Sequence, residues 1–483
     1  MNLALVQRIL GLLLMIFGVT MVPPIAVSLY YGDGNWDPFV DSLVALLVVG
    51  AVIWWPVRKR QRDLRLRDGF LVVALFWVVL GLAGAAPLVL SDHPEMSLTD
   101  AVFEAVSGFT TTGATALIGI DDLPRSVLYY RQQIQWFGGI GMVVLAVALL
   151  PMLGVGGMQL LKAETPGPVK DAKLTPRITE TAKALWMIYV AITVACAISY
   201  WAAGMSLFDA IGHSFSTVST GGYSTHDASL AHFDSVTVEM IAVFFMFLGA
   251  INFSLHFIAW RHKRIADYWR DPEWRVFVGI LSTSVVLCTL TLWLAGSKAG
   301  PAEALRVSLV QAVSVQTSTG FTTDNFSLWP GALPLLLVLT MFIGGCAGST
   351  AGGMKVVRWL MIWKQGSREV FKLVHPSAEM PVKLGGKALE WRVIDGIWGF
   401  FAVYVVSFAV LMLLLMATGE DQVTAFSAIA TCMNNVGPGL GEVASNFTSV
   451  SDPGKWICIL AMLLGRLEVF PLLVLITPTF WRK

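Results

Sequence analysis

The sequence predicts an all-α polytopic membrane protein: an extra N-terminal helix pair, then four repeats of span, short half-helix, Gly-centred loop and span. Three observations carry this. The 483 residues are 56% hydrophobic and only 13% charged, with mean hydropathy +0.70, which excludes an ordinary soluble domain. About ten runs are apolar enough to cross hydrocarbon, which takes about 20 residues. A Gly-centred loop recurs four times at near-constant intervals, the mark of internal repetition.

The loops are Thr110–Thr115 (TTTGAT), Val218–Ser224 (VSTGGYS), Thr317–Thr322 (TSTGFT) and Asn434–Leu440 (NNVGPGL). Aligned on their Thr-Gly or Val-Gly pairs, they centre on Gly113, Gly221, Gly320 and Gly437, at intervals of 108, 99 and 117 residues. Each follows an apolar run too short to span a bilayer. Glycine lets successive carbonyls point one way, and four such loops around an axis make carbonyl rings that replace water around a bare cation. Ordinary Gly/Thr turns between helices are the bland alternative, and they leave the repetition unexplained.

In chain order, the candidate spans are roughly 5–29, 39–57, 69–91, 127–150, 183–203, 236–260, 275–296, 332–362, 394–418 and 455–479. The first pair occupies 1–67. Repeat one is 68–151, and 152–262 holds a connector and repeat two. Repeat three and a linker fill 263–390, and 391–483 is repeat four. Segment 58–68 holds six basic residues, as does 364–392, whereas 91–124 and 205–235 have no Lys or Arg. Positive residues stay inside, so the loops face out and both termini are cytoplasmic. The short helices start near acids (Asp100 and Glu104, Asp209, Glu303, Asp421), which suit a helix N-terminus. Their negative C-terminal ends then point at the membrane centre and favour a cation. Net charge is only +1, so no global field argues for nucleic acid. The five cysteines show no CxxC spacing and read as buried packing residues.

Residues 344–353, GGCAGSTAGG, interrupt the eighth run with five glycines in ten positions. Such backbone survives at membrane depth only inside protein or beside a watery cavity. It reads as a hydrogen-bond-poor, flexible barrier under the third loop; close helix packing through small residues is the other reading. A Walker A loop fails because Met354 separates Gly353 from Lys355. Arg466, near the middle of the last run, is an ionisable residue at a costly depth and so a functional candidate. Its alternative is an ion pair with an acid on another span.

The four loops, FIGGCAGSTAGGMK from Phe342 to Lys355 and GRLEVFPLLVL from Gly465 resemble the TrkH family, the membrane subunits of bacterial Trk potassium uptake systems. The wider superfamily includes KtrB and the plant HKT transporters, and the likeness covers essentially the whole chain. The resemblance implies an inner-membrane, pseudo-fourfold K⁺ pore in each protomer of a homodimer. It places the selectivity filter at Thr111, Thr112, Gly113, Thr220, Gly221, Thr319, Gly320, Asn435, Val436 and Gly437. Glycine at the first loop goes with K⁺ preference, while the fourth loop departs most, with Asn434-Asn435 and Pro438. A gating loop falls at Gly344, Gly345, Gly348, Gly352, Gly353 and Lys355, and Arg466 projects into the pore below the filter. The partner it implies is a soluble RCK-type, TrkA-like nucleotide-binding subunit, docking on basic segments 152–182 and 364–392. Potassium is cargo, and no organic cofactor is expected. A secondary transporter coupled to H⁺ or Na⁺, or a less selective Na⁺/K⁺ pathway, is the alternative. Against rocking repeats, the loops all face one way and only one late span looks broken.

Overall fold

A computed structural model describes residues 3–59, 66–148, 174–378 and 380–482. These are helical apart from turns, loops and a two-residue hairpin, Lys383–Leu384 against Lys387–Ala388, turned by Gly385 and Gly386 at positive φ. Among the described residues, six helices are long and apolar enough to cross a membrane: Leu3–Tyr31, Asp37–Val57, Arg67–Leu90, Glu180–Ala202, Pro272–Leu294 and Trp391–Ala417. A bent pair, Val236–Gly249 with Phe253–His262, makes a seventh.

The other expected runs differ for physical reasons. Helix Arg125–Ala148 is less apolar because it carries Arg131, Gln132, Gln133 and Gln135, all buried against protein. Helix Leu333–Ile343 stops at Gly344, and the chain becomes helical again only at Val356–Val374. The last run ends as Asp452–Arg466; Glu468 and Val469 adopt positive φ before Phe470–Ile476 begins. Runs 236–260 and 455–479 were therefore expected to be continuous and are broken, the first by a 94° bend. Each break follows a glycine, Gly249 or Gly465, pressed against the end of a short helix, at Val218 O and Met433 O respectively.

The N-terminal pair crosses through glycines, since a Cβ on Gly11 would sit 2.7 Å from Gly50 O. It also packs on the first repeat: Phe17 meets Phe109 edge-on at 6.0 Å, and Gln133 Nε2 donates to Thr20 O at 2.7 Å. One apolar core joins this pair to the first and last units through Trp77, Phe103, Tyr404 and Leu415. A second joins the middle units through Tyr189, Phe253, Phe321 and Trp329. All five cysteines are buried and unpaired.

Four short helices precede the loops: Leu98–Phe109, Leu207–Val218, Pro301–Gln316 and Gln422–Asn434. Ser97 and Ser206 cap the first two, accepting from Asp100 N and Asp209 N, and Asp421 caps the fourth. The third has Pro301 in its first turn, which needs no amide partner. Glu104 does not serve as a helix-start acid. It is fully buried, accepts from Arg131 Nε at 2.8 Å, and takes Ala116 N at 3.0 Å. The first loop is thus held from behind by an ion pair.

Candidate ion pathway

Each short helix ends in the same hydrogen bond. Thr112 N, Gly221 N and Thr319 N donate to Ser107 O, Ser216 O and Ser314 O at 2.8 Å, and Val436 N donates to Thr431 O at 3.0 Å. The residue before each donor is left-handed: Thr111 (φ 55°), Thr220 (53°), Ser318 (55°) and Asn435 (52°). The residue after it is a glycine at positive φ: Gly113, Gly222, Gly320 and Gly437. Alignment on the Thr-Gly pair therefore misplaces the second loop by one residue. Gly221 occupies the position of Thr112, Thr319 and Val436, and Gly222 is the counterpart of Gly113. The hydroxyls five residues upstream of each donor (Ser107, Ser216, Ser314, Thr431) give the true register and were the signal overlooked.

The four glycines define how the loops meet. A Cβ on Gly113 would collide with Gly221 O, one on Gly222 with Thr319 O, and one on Gly320 with Val436 O. A Cβ on Gly437 would lie 3.0 Å from Thr112 O, closing the circuit. The loops thus form a closed ring in chain order, with the same carbonyl of each loop against the glycine of the loop before it. Backbone contact this close leaves no room for a side chain. Side chains brace the ring. Gln135 Nε2 donates to Gly221 O at 2.7 Å, Asn435 Nδ2 donates to Thr112 Oγ1 at 2.9 Å, and Thr110 shares a hydrogen bond with Thr112.

A cavity of about 310 Å³ opens over the ring, bordered by Gly113, Gly222, Gly320, Gly437, Asp227 and Asp324. Burial works against ionising Asp324, but hydrogen bonds from Lys298 and Trp329 hold its carboxyl below the ordinary value. Asp121, nearby, is likewise lowered: burial opposes ionisation, and the hydrogen bonds with His226 and Asp227 and the charge of His226 together outweigh it. Asp324 is paired with Lys298, and Asp227, on the same rim, supplies the carboxylate that draws cations to the mouth.

The Gly-rich stretch lies against the other face of the loops. Contrary to the expectation of few hydrogen bonds, it is tied on several sides. Thr350 Oγ1 donates to Val218 O and Gly249 O at 3.0 Å, and Gly353 N to Asn434 O at 3.1 Å. Cys346 N reaches Ala250 O at 2.9 Å, and Glu273 Oε1 accepts from Ala347 N and Val357 N. The broken second span supplies several of these acceptors, and the sequence gives no hint of that. Gly344, Gly348 and Gly353 take positive φ, as does Lys355 (φ 76°), whose buried ammonium donates to Ala351 O. Gly345 and Gly352 pack against Ala351 and Asn434 O, where a side chain would collide.

Arg466 is 2% exposed and has no acid partner among the described residues. It donates to Thr350 O at 2.9 Å and Gly138 O at 3.3 Å, and lies over the Trp77 ring. The expected alternative of an ion pair goes to its neighbour: Glu468 pairs with Arg358 at 2.5 Å. Arg466 thus links the Gly-rich stretch to the first unit from the end of the last.

A multi-pass helical protein whose buried loops close into one ring under an acidic mouth is, by class, a membrane transport protein. The family profile described as "TrkH: Cation transport protein" matches residues 37–483. The chain belongs to the TrkH family of cation transporters and is not an enzyme. It is 54% identical over 478 residues to "Trk system potassium uptake protein TrkH" of Vibrio parahaemolyticus, covering 99% of both chains. Its namesake in Escherichia coli K12 is 52% identical over the full length of both, and TrkG of that strain 39% over 478 residues. The crystal structure of the potassium transporter TrkH from V. parahaemolyticus superposes with TM-score 0.94 at 51% identity, covering all of both chains.

Proposed function

We propose that this chain carries K⁺ across a bacterial inner membrane, along the axis of the four loops, from the acidic mouth toward the cytoplasm. The observation that carries the reading is the closed ring, in which one register of left-handed residue, amide donor and glycine repeats four times. The filter is then Thr111-Thr112-Gly113, Thr220-Gly221-Gly222, Ser318-Thr319-Gly320 and Asn435-Val436-Gly437. The helices make ten spans in pseudo-fourfold order, with the broken ones counted, and both termini are cytoplasmic by the distribution of Lys and Arg. The relatives' names, potassium uptake proteins, support K⁺ as cargo, and Gly113 fits that preference. Reversal potentials of the purified protein in opposed K⁺ and Na⁺ gradients test it: a potential tracking Na⁺ as closely as K⁺ would refute a K⁺ pathway.

Three second helices break where they meet the ends of the short helices, at 249–252, 344–355 and 467–469, rather than the one expected. That observation keeps a coupled secondary transporter as the second reading. A pH or Na⁺ gradient that drives K⁺ uphill in the same liposomes would favour it.

The Gly-rich stretch and Arg466 form the barrier below the ring. Arg466→Ala removes a positive charge and two ties to the backbone around the ring, so basal K⁺ flux should rise about tenfold or more, since each lost charge-assisted bond contributes about 1.5–3 kcal/mol. Thermal stability read alongside separates this from unfolding; a destabilised variant with unchanged flux per folded protein would defeat it. Deleting Gly345–Gly352 should raise basal flux and blunt the response to a soluble nucleotide-binding partner, the RCK-type subunit of a homodimeric complex. Low flux with full regulation in that deletion would show that the stretch is not the gate. Residues 152–173 of the proposed docking surface lie outside the described residues; 364–392 presents the hairpin and Lys364, which donates to Lys383 O.

A further inference from the structure

Above the ring, the loops after the first and second short helices bring Asp121 together with two histidines. Asp121 Oδ1 lies 2.5 Å from His226 Nδ1, and the backbone of Asp227 donates to Asp121 Oδ2 at 3.2 Å. His232 stacks on His226, with ring centroids 3.4 Å apart and planes within 3°. One ligand atom from each of Asp121, His226 and His232 lies within 4.8 Å of the others. On the other side of the ring, His226 Nε2 is buried with no hydrogen-bond partner, and Asp209 Oδ1 lies 3.7 Å from it. Nε2 faces away from Asp121, which holds Nδ1, so an ion bound by both side chains takes the Nδ1 side in place of that hydrogen bond, and Nε2 is left pointing toward Asp209.

We propose that Asp121, His226 and His232 bind a Zn²⁺ ion at the outer mouth, and that the bound ion slows K⁺ uptake. Two imidazoles and a carboxylate are the donor set of Zn²⁺, whereas K⁺ and Mg²⁺ prefer oxygen alone. Metal–nitrogen bonds lie in the imidazole plane, so two stacked rings must splay before their lone pairs converge. His232 is exposed and His226 half-buried, so His232 is the ring that turns. Asp209 adds negative charge beside the site, and water completes the coordination. His226 and Asp227 border the cavity that leads to the four glycines, so a dication there sits on the approach of K⁺ and repels it.

The effect on uptake rests on the K⁺ path proposed above; the metal site itself does not. Isothermal titration of the purified, tag-free protein with ZnCl₂ should show one site per chain. His232→Ala, at an exposed position, should weaken it at least about tenfold, as should Asp121→Asn. In proteoliposomes, micromolar external Zn²⁺ should slow K⁺ uptake by wild type and leave His232→Ala unaffected. No binding heat, or equal binding by wild type and both variants, overturns the site. Binding that His232→Ala abolishes while wild-type uptake ignores Zn²⁺ overturns the control of transport. If the protein carries no K⁺ at all, the titration still decides whether the metal site exists.

Discussion

Gly222→Ala is expected to reduce K⁺ over Na⁺ preference by about tenfold or more, and far more than Gly221→Ala. Gly222 has φ 81° and its added Cβ would run into the backbone carbonyl of Thr319, which cannot move without shifting the third loop. The ring contacts repeat, so the strain would spread through Val436 O and Thr112 O. Gly221 is different. Its Cβ would meet the far end of the Gln135 side chain and no backbone carbonyl, and its own backbone has no positive φ. A shift of a coordinating carbonyl by a few tenths of an ångström changes the balance between a dehydrated ion and its hydration shell. One factor of ten corresponds to about 1.4 kcal/mol of differential binding, well within reach of such a displacement. Gly113→Ser belongs to the same class, since its Cβ would meet Gly221 O. Permeability ratios from reversal potentials, at matched expression, make the comparison. Equal effects at Gly221 and Gly222 would return the second loop to the Thr-Gly alignment.

Arg131→Met should cost about 3–5 kcal/mol of stability, because it leaves the Glu104 carboxylate buried with no counter-charge. Arg131 is 1% exposed and Glu104 fully buried, with Nε and Oε1 2.8 Å apart. The guanidinium also donates to Thr115 Oγ1 at 3.2 Å and Ser224 O at 3.4 Å, and lies 4.2 Å over the Tyr223 ring. Glu104 in turn fastens Thr115 Oγ1 and Ala116 N, just beyond Gly113. One ion pair therefore braces the outer ends of two neighbouring loops. In the double variant Glu104→Gln/Arg131→Met, no unpaired charge remains, so much of the lost stability should return. Thermal unfolding in detergent measures this. A double variant no more stable than the single one would show that the cost comes from lost packing and not from the stranded carboxylate.

Much of the fold was legible because hydrocarbon imposes a simple rule on sequence. Long apolar runs must be helices, and the short runs before the Gly loops stood out by length alone. Apolar run length, however, does not report backbone breaks, because a residue at a break can stay apolar when it is buried in protein. Ala250, Ile251 and Val469 look like helix interior in sequence and are bend or left-handed positions in space. Arg131 and the glutamines beside it illustrate the reverse: they weaken the apolar signal of a helix because they face protein and not lipid.

The sequence alone determined the class, the four loops and the Gly-rich interruption, since these depend on local composition and repetition. It also marked Arg466 as exceptional, because a charge at that depth is costly whatever surrounds it. Only the tertiary structure decided the register of the second loop, where Gly221 and Gly222 are indistinguishable until a neighbouring carbonyl excludes a side chain from one of them. It alone paired Glu104 with Arg131 across 27 residues, and Arg466 with Thr350 O across 116. Those partners are chosen by where helix ends and carbonyls meet in space, and no spacing along one chain encodes that directly.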